Sequence, residues 1–463
     1  MTLRRKIKMK SSAKYIMVAI VLTVGIAGVT KVAIDEVKLA ASAYLYGYPL
    51  VIMEETRKSM VTNGGTNQLR HTQIFPDSDF RLVVRPNVDT VYTIAWIDLT
   101  QGPQVLSMPS TGDRYYVLPF MDAWTNVFER RGTSTTGNGA QEIAVVGPDY
   151  EGELPAGIDS VVKSPTNMVW LAARIQSDSE ADVANVVKIQ DKMALTSLNN
   201  WIAGERDKGV TTGWVENKAT KPMQIVDDMN AQTFFSKMNT LMDKQYPSDA
   251  DADELAKFSH LNIAPGERFH KDSLNLIQQW AVEKALPLTI EKIKQSIDAR
   301  SANKQGWNLI LDIGDYGINY RIRAAVARFG LGALPPEEAS YAGTSVDLDG
   351  QRYNGKNNYV LHFDADKIPP VHAFWSLSMY NLEGFFIDND IGRYAIGDRS
   401  GLQLNQDGSL DLYIQHLPPS QVTSNWLPAP AGKFNLLLRL YMVDNAYING
   451  DWTIPAVHKV AIK

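Results

Sequence analysis

The chain has 463 residues, 44% hydrophobic and 21% charged, with a net charge of −5; this is the profile of a globular protein with room for about three domains. Arg4, Arg5, Lys6, Lys8, Lys10 and Lys14 crowd the first 14 positions without an acid, so the remainder carries −11, which excludes a nucleic-acid binder that works by neutralising phosphates. There is no cysteine, which excludes disulfides, thiol nucleophiles, zinc–thiolate centres and lipoprotein acylation.

The basic stretch is followed by an apolar run, Tyr15 to Thr30, closed by Lys31. The run is short for a bilayer span of about 20 residues and suits a secretory leader. Residues 1–31 are therefore expected to be a signal peptide or a retained N-terminal membrane anchor, with the body periplasmic or extracellular. No small-x-small cleavage pattern around Ala27-Gly28-Val29-Thr30 decides between the two.

Apolar residues near the 3.6 period predict a helix over 36–62, interrupted or kinked at Pro49. From about 80 to 178 the pattern turns to short β-branched and aromatic runs, Val91–Ile97, Tyr115–Phe120 and Met168–Ile175, bounded by Gly, Pro, Asp and Ser clusters. Residues 180–300 return to helical spacing. The acidic run Asp249 to Glu254 in this stretch reads as an exposed helix start or loop, since it lacks the Gly and distal Glu of a calcium loop. From 341 onward the chain is β again, with Asp349-Gly350, Asp407-Gly408 and Asn449-Gly450 as hairpin turns. The fold class is α+β: two mainly antiparallel β-sandwich-like domains, 36–178 with its leading helix and 336–463, around a helical insertion at 179–335.

Several familiar signatures fail on inspection. Gly350-x4-Gly355-Lys356 has Asn357 where a phosphate loop needs Ser or Thr, and a strand pattern follows it instead of a helix. No Gly-x-Ser-x-Gly elbow occurs. His362, His372 and His416 lie in or beside three C-terminal strands, but separate hydrogen-bonded or exposed histidines fit them better than a metal triad. No metal or cofactor is assigned.

The informative residues are polar groups that interrupt apolar β runs, because burying them is costly unless they pair or bind something. Arg85-Pro86-Asn87-Val88-Asp89-Thr90 precedes one such run, and Asp122-Ala123-Trp124-Thr125-Asn126 interrupts another. Asp89 and Asp122 are candidate catalytic carboxylates, expected to share a pocket. Arg85, Asn87, Trp124, Asn126, Arg393 and Arg399 are candidate ligand contacts. Such a set suits a sugar or small polar molecule, or acid–base chemistry; equally, Asp and Asn cap turns and satisfy buried backbone. Arg393 and Arg399 have the geometry to clamp a carboxylate, or to staple their loop through Asp388 and Asp398.

These motifs resemble the bacterial proteins that join domain-of-unknown-function family 1254 to family 1214. The first family is carried by Ala43-Tyr44-Leu45-Tyr46-Gly47-Tyr48-Pro49-Leu50, the Arg85 and Asp122 motifs, and Ser164-Pro165-Thr166-Asn167-Met168-Val169-Trp170. The second is carried by Pro369-Pro370-Val371-His372-Ala373-Phe374-Trp375-Ser376, Arg393-Tyr394-Ala395-Ile396-Gly397-Asp398-Arg399 and Asn425-Trp426-Leu427-Pro428-Ala429-Pro430. His372 stands where the family more often has Asp. The resemblance implies two β-sandwich-like domains, a helical insertion and export, and no agreed activity. The expectation is an exported protein with a site for a small molecule or carbohydrate, with no nucleic-acid partner, N-terminal membrane contact and assembly as a homo-oligomer. The rival is a non-catalytic oligomeric β-sandwich scaffold.

Overall fold

The structure, a computed structural model, describes residues 2–61, 65–81, 84–212, 221–298, 305–309, 311–420 and 422–460, the side chains of 2–27 and 296–298 excepted. The N-terminal leader thus falls largely outside the described side chains. Among the described residues no helix is long and apolar enough to cross a membrane.

Four mostly antiparallel sheets form two sandwiches. In the first, a six-stranded sheet runs Val210–Thr211, Arg70–His71, Thr90–Asp98, Met168–Gln176, Tyr116–Met121, Val127–Gly132. It packs on a four-stranded sheet ordered Ser160–Lys163, Gln141–Val146, Gln104–Met108, Ala194–Ser197. Alternation along each strand sends one set of side chains inward: Val91, Ala95 and Ile97 meet Leu106, Ile143 and Val145 in one buried core. The second sandwich pairs a five-stranded sheet (Trp307–Leu309, Ala339–Thr344, Asn435–Val443, Val371–Tyr380, Ala395–Gly397) with a four-stranded one (Trp426–Pro428, Leu410–Gln415, Asn358–Phe363, Val457–Val460). Its core sets Trp375, Leu377, Leu438 and Leu440 against Leu361, Leu412 and Ile414.

The helical middle is shorter than the spacing of apolar residues suggests. Ala194–Ser197 completes a sheet of the first sandwich by pairing with Gln104–Met108, and Trp307–Leu309 adds an edge to the second. A four-residue strand carries too few periods to stand out beside the helices that flank it. Of the expected hairpin turns, Asn449-Gly450 instead closes a short helix, Asn445–Ile448, with Gly450 N–H bonding the Tyr447 carbonyl.

The long helix Thr2–Met60 passes Pro49 unbroken. Tyr44, Tyr46, Tyr48, Leu50 and Val51 are all buried around the proline, so packing holds the turns on both sides. Helix Ala231–Lys244 approaches this helix closely at Gly47, where a Cβ would lie 2.3 Å from Met238 Sδ. Helices Leu276–Asp298 and Tyr320–Phe329 complete the bundle and share its core.

The outer faces of the larger sheets are not both free. Tyr115 and Val117 of the first sandwich pack with Ala339, Phe374 and Tyr441 of the second. The two sandwiches therefore meet outer face to outer face along a buried seam. Further along the same sheet Ile94, Trp96 and Trp170 pack with Met53 of the long helix, the two indoles stacked 5.4 Å apart.

Candidate functional site

Four of the residues singled out from sequence converge at one end of this seam. Asp89, the residue before strand Thr90–Asp98, is 3% exposed. Ser376 Oγ donates to its Oδ2 at 2.6 Å and Arg399 Nη2 to its Oδ1 at 2.8 Å, both from the second sandwich. Arg399 also lies 3.6 Å from Asp178 and 3.7 Å from Asp398, with its guanidinium 3.8 Å above the centre of the Phe374 ring. Burial pushes the Asp398 carboxyl up to about 6, with Arg399 acting against that shift. Asn87 holds the turn: its Oδ1 accepts from the Asp89 and Thr90 amides and the Thr90 hydroxyl, while its Nδ2 donates to Tyr92 Oη at 2.9 Å. Arg85 is exposed and sits at φ +54°, a left-handed conformation uncommon outside glycine. Its carbonyl faces inward and accepts from Arg439 Nη2 at 2.8 Å.

Three further residues at this place escaped the sequence reading. Register sets Tyr341, Arg439 and Ser376 in one row across the five-stranded sheet, and Tyr92, Arg174 and Val117 in one row across the six-stranded sheet. Arg439 is 3% exposed and donates to Ser378 Oγ at 2.8 Å as well as to the Arg85 and Pro86 carbonyls. Arg174 is 7% exposed, stacks over the Tyr92 ring at 5.5 Å, and donates to Tyr341 Oη at 2.9 Å and the Gly332 carbonyl at 2.5 Å. Its Nε has no hydrogen-bond partner among the described residues. Tyr441 is buried in the same seam; burial, then the Asp89 charge, raises its phenol well above the usual range. The available signal was one cation inside each of two strands that are apolar on both faces, Met168–Gln176 and Asn435–Val443. Such strands are covered on both sides, so the cation has to be buried.

Asp122 does not join this group, contrary to the expected shared pocket. Thr90 pairs with Gln176 whereas Met121 pairs with Trp170, six residues along the same strand; Asp89 and Asp122 each lie one residue further out, so they sit about 26 Å apart along the strand direction, at opposite ends of the sheet. Asp122 instead closes its own loop: Oδ1 accepts the Trp124 and Asn126 amides at 2.9 and 2.8 Å, and Oδ2 accepts Asn126 Nδ2 at 2.8 Å. The loop turns through Thr125 at φ +73°, strained for a β-branched residue. Trp124 Nε1 donates to the Tyr246 carbonyl at 3.1 Å. Above the loop lies Arg323, 2% exposed, with its guanidinium 5.4 Å from the Tyr46 and Trp124 rings and 5.0 Å from Tyr320. Asp251, expected in a solvated acidic run, is buried and ties Tyr46 and Tyr320 together at 2.9 and 2.6 Å.

Burial raises the Asp122 carboxyl to about 6, its hydrogen bonds and Arg323 acting against that shift. A folded-state value above the unfolded one means the native state binds the proton more tightly. This contribution is therefore favourable in acid and is lost as pH rises through about 4 to 6, at a cost of up to about 3 kcal/mol above pH 7. Asp122→Asn should remove that slope: relative to the parent, the variant gains stability between pH 4 and 7.5. Denaturant titrations at the two pH values measure this, and a constant difference between the proteins would refute it.

The other singled-out residues have structural partners. Arg393 Nη1 donates to the Thr423, Ser424 and Trp426 carbonyls, so it staples its loop through backbone and not through Asp388. His362 bonds Asp411, His372 lies 3.4 Å from Asp444, and His416 meets the Ala429 carbonyl. Among the described residues no cluster of three metal-ligating side chains forms. Gly355 of the failed phosphate loop has a packing role, since a Cβ there would lie 1.6 Å from the Pro430 carbonyl oxygen.

Comparisons with known proteins agree with this two-part architecture. Residues 66–197 match the family described as protein of unknown function DUF1254, and residues 338–445 match protein of unknown function DUF1214. No curated protein matches the chain. The chain is similar in fold to the crystal structure of the VPA0106 protein from Vibrio parahaemolyticus, with 23% identity and a TM-score of 0.71 over 92% of this chain and 100% of that one. An uncharacterized protein from Burkholderia cenocepacia aligns over 94% of this chain and 96% of its own, with 11% identity and a TM-score of 0.42. The seam that gathers Asp89, Arg399, Arg174 and Arg439 thus lies between the two matched regions, and the chain belongs with the proteins that join a DUF1254 region to a DUF1214 region.

Proposed function

We propose that the chain is an exported protein, held at a membrane by its N-terminal segment, that binds a small polar molecule bearing an anionic group at the seam between its sandwiches. The observation that carries this reading is Arg174. A buried guanidinium is costly unless a carboxylate or a ligand compensates it. Arg174 donates to a phenol and a carbonyl, and its Nε–H has no partner among the described residues. Its two aromatic neighbours, Tyr92 and Tyr341, are only partly buried, and Arg85, whose carbonyl accepts from Arg439, is exposed. Half-exposed rings over a buried cation suit an acidic sugar, whose ring can stack on an aromatic and whose carboxylate can pair with arginine. Asp89 already accepts on both oxygens, so the arrangement favours binding over proton transfer.

D-glucuronate, inorganic phosphate and neutral D-glucose test the reading in equilibrium unfolding. Glucuronate is expected to raise the midpoint, with a gain in unfolding free energy of about 2.7 kcal/mol at a hundredfold excess over its dissociation constant. Glucose should leave it unchanged, and Arg174→Gln should abolish the glucuronate effect. Stabilisation by neither anion, or equal stabilisation of the Arg174 variant, would leave the seam as a structural lock alone.

A further inference from the structure

We infer that the helical bundle carries a lipid-facing patch, made by the helix that leads out of the N-terminal segment and the first turns of helix Leu276–Asp298. This rests on the anchored reading above and goes beyond it, because it assigns a membrane contact to the folded body. The helix Thr2–Met60 runs without a break from the apolar run Tyr15 to Thr30 into the bundle. That run has 16 residues and spans about 24 Å as a helix, short of the roughly 30 Å hydrocarbon core. A short span draws its flanking residues into the interface.

The end of the run and the residues just past Lys31 carry apolar side chains. Val29 and Val32 are 59% and 49% exposed. They precede Glu36 by seven and four residues and so share its helix face. Glu36 faces the bundle, where it meets His260 Nε2 at 3.0 Å, and Gln278 Nε2 meets the same nitrogen at 3.1 Å. On either side of Gln278, Leu276 is 83% and Trp280 50% exposed. The start of helix Leu276–Asp298 therefore lies level with the point where the leading helix leaves the bundle. A leucine and a tryptophan in water beside an emerging apolar helix are misplaced for a solvent surface and placed for a headgroup boundary, where tryptophan concentrates. The occupant is the bilayer interface into which the same helix continues.

The absence of cysteine makes the test direct. Leu276→Cys, and as a control Leu417→Cys on the second sandwich at 70% exposure, each give the full-length chain a single thiol for a polarity-sensitive fluorophore. The labelled proteins are reconstituted with vesicles of phosphatidylethanolamine and phosphatidylglycerol carrying brominated acyl chains, then floated. Co-flotation reports the anchor, and quenching reports the patch. The expected result is co-flotation of both proteins, with quenching of the label at 276 at least twofold stronger than at 417. Co-flotation with equal quenching would overturn the patch and leave the anchor standing. A chain that stays in solution would overturn both.

Discussion

Asp89→Ala is expected to cost about 3–5 kcal/mol of folding stability, the range for breaking a buried ion pair from one side. The side chain is 4% exposed and holds Arg399 and Ser376 from the other sandwich, so its loss strands a guanidinium in the seam. Asp178 and Asp398 offset part of this, being 3.6 and 3.7 Å from Arg399, which places the outcome toward the lower end. Asp89→Asn keeps the shape and one acceptor and should cost less, about 1.5–3 kcal/mol for the lost charge-assisted bond. Denaturant midpoints at neutral pH measure both. An alanine variant within about 1 kcal/mol of the parent would show that the neighbouring acids satisfy Arg399 without Asp89.

Gly397→Ala should be comparably damaging for a steric reason. In strand Ala395–Gly397 this glycine pairs with Ser376, and an added Cβ would lie 2.1 Å from the Trp375 carbonyl oxygen and 2.9 Å from the Ser376 Cα. Both contacts are backbone, so no side chain can swing away, and the edge strand has to move off its neighbour. Overpacking costs about 1–3 kcal/mol, and a backbone clash belongs at the top of that range. The displaced segment carries Asp398 and Arg399, so the bond to Asp89 should weaken too. Gly343→Ala is the control: it lies in the same sheet, and its Cβ would find only Leu437 Cδ1, at 3.7 Å. If the two variants unfold at the same midpoint, close approach is not what glycine supplies at 397.

Much of the fold and half of the site were legible from the chain. Gly, Pro and Asp punctuation marked the short strands, and the Arg85 octet stood out because a cation, an amide and a carboxylate preceded an apolar strand. What pattern alone did not supply was the register between strands whose partners lie 49 to 86 residues apart, which decides that Asp89 and Asp122 occupy opposite ends of one sheet. Arg174 and Arg439 were passed over for a related reason. Period-two alternation reads a charge in a strand as solvent-facing, and the face opposite the core is covered only because a second sandwich lies on it. Asp251 was obscured by its neighbours: within an acidic run one buried carboxylate has the same sequence signature as its solvated companions. The Asp122 turn was legible as polar but not as strained, since no residue-type rule announces a threonine at positive φ.

The pairs that close the seam are far apart in the chain: Asp89 and Arg399 are separated by 310 residues and Arg85 and Arg439 by 354. At about 5–20 residues per second of synthesis, roughly 15–60 s elapse between the appearance of Asp89 and that of its partner. Throughout that interval the first sandwich can complete its own core, yet its Tyr92 and Arg174 face has nothing to lie against. The nascent protein therefore carries a half-finished, sticky surface through most of its birth, and its final docking step waits for the second sandwich to be made.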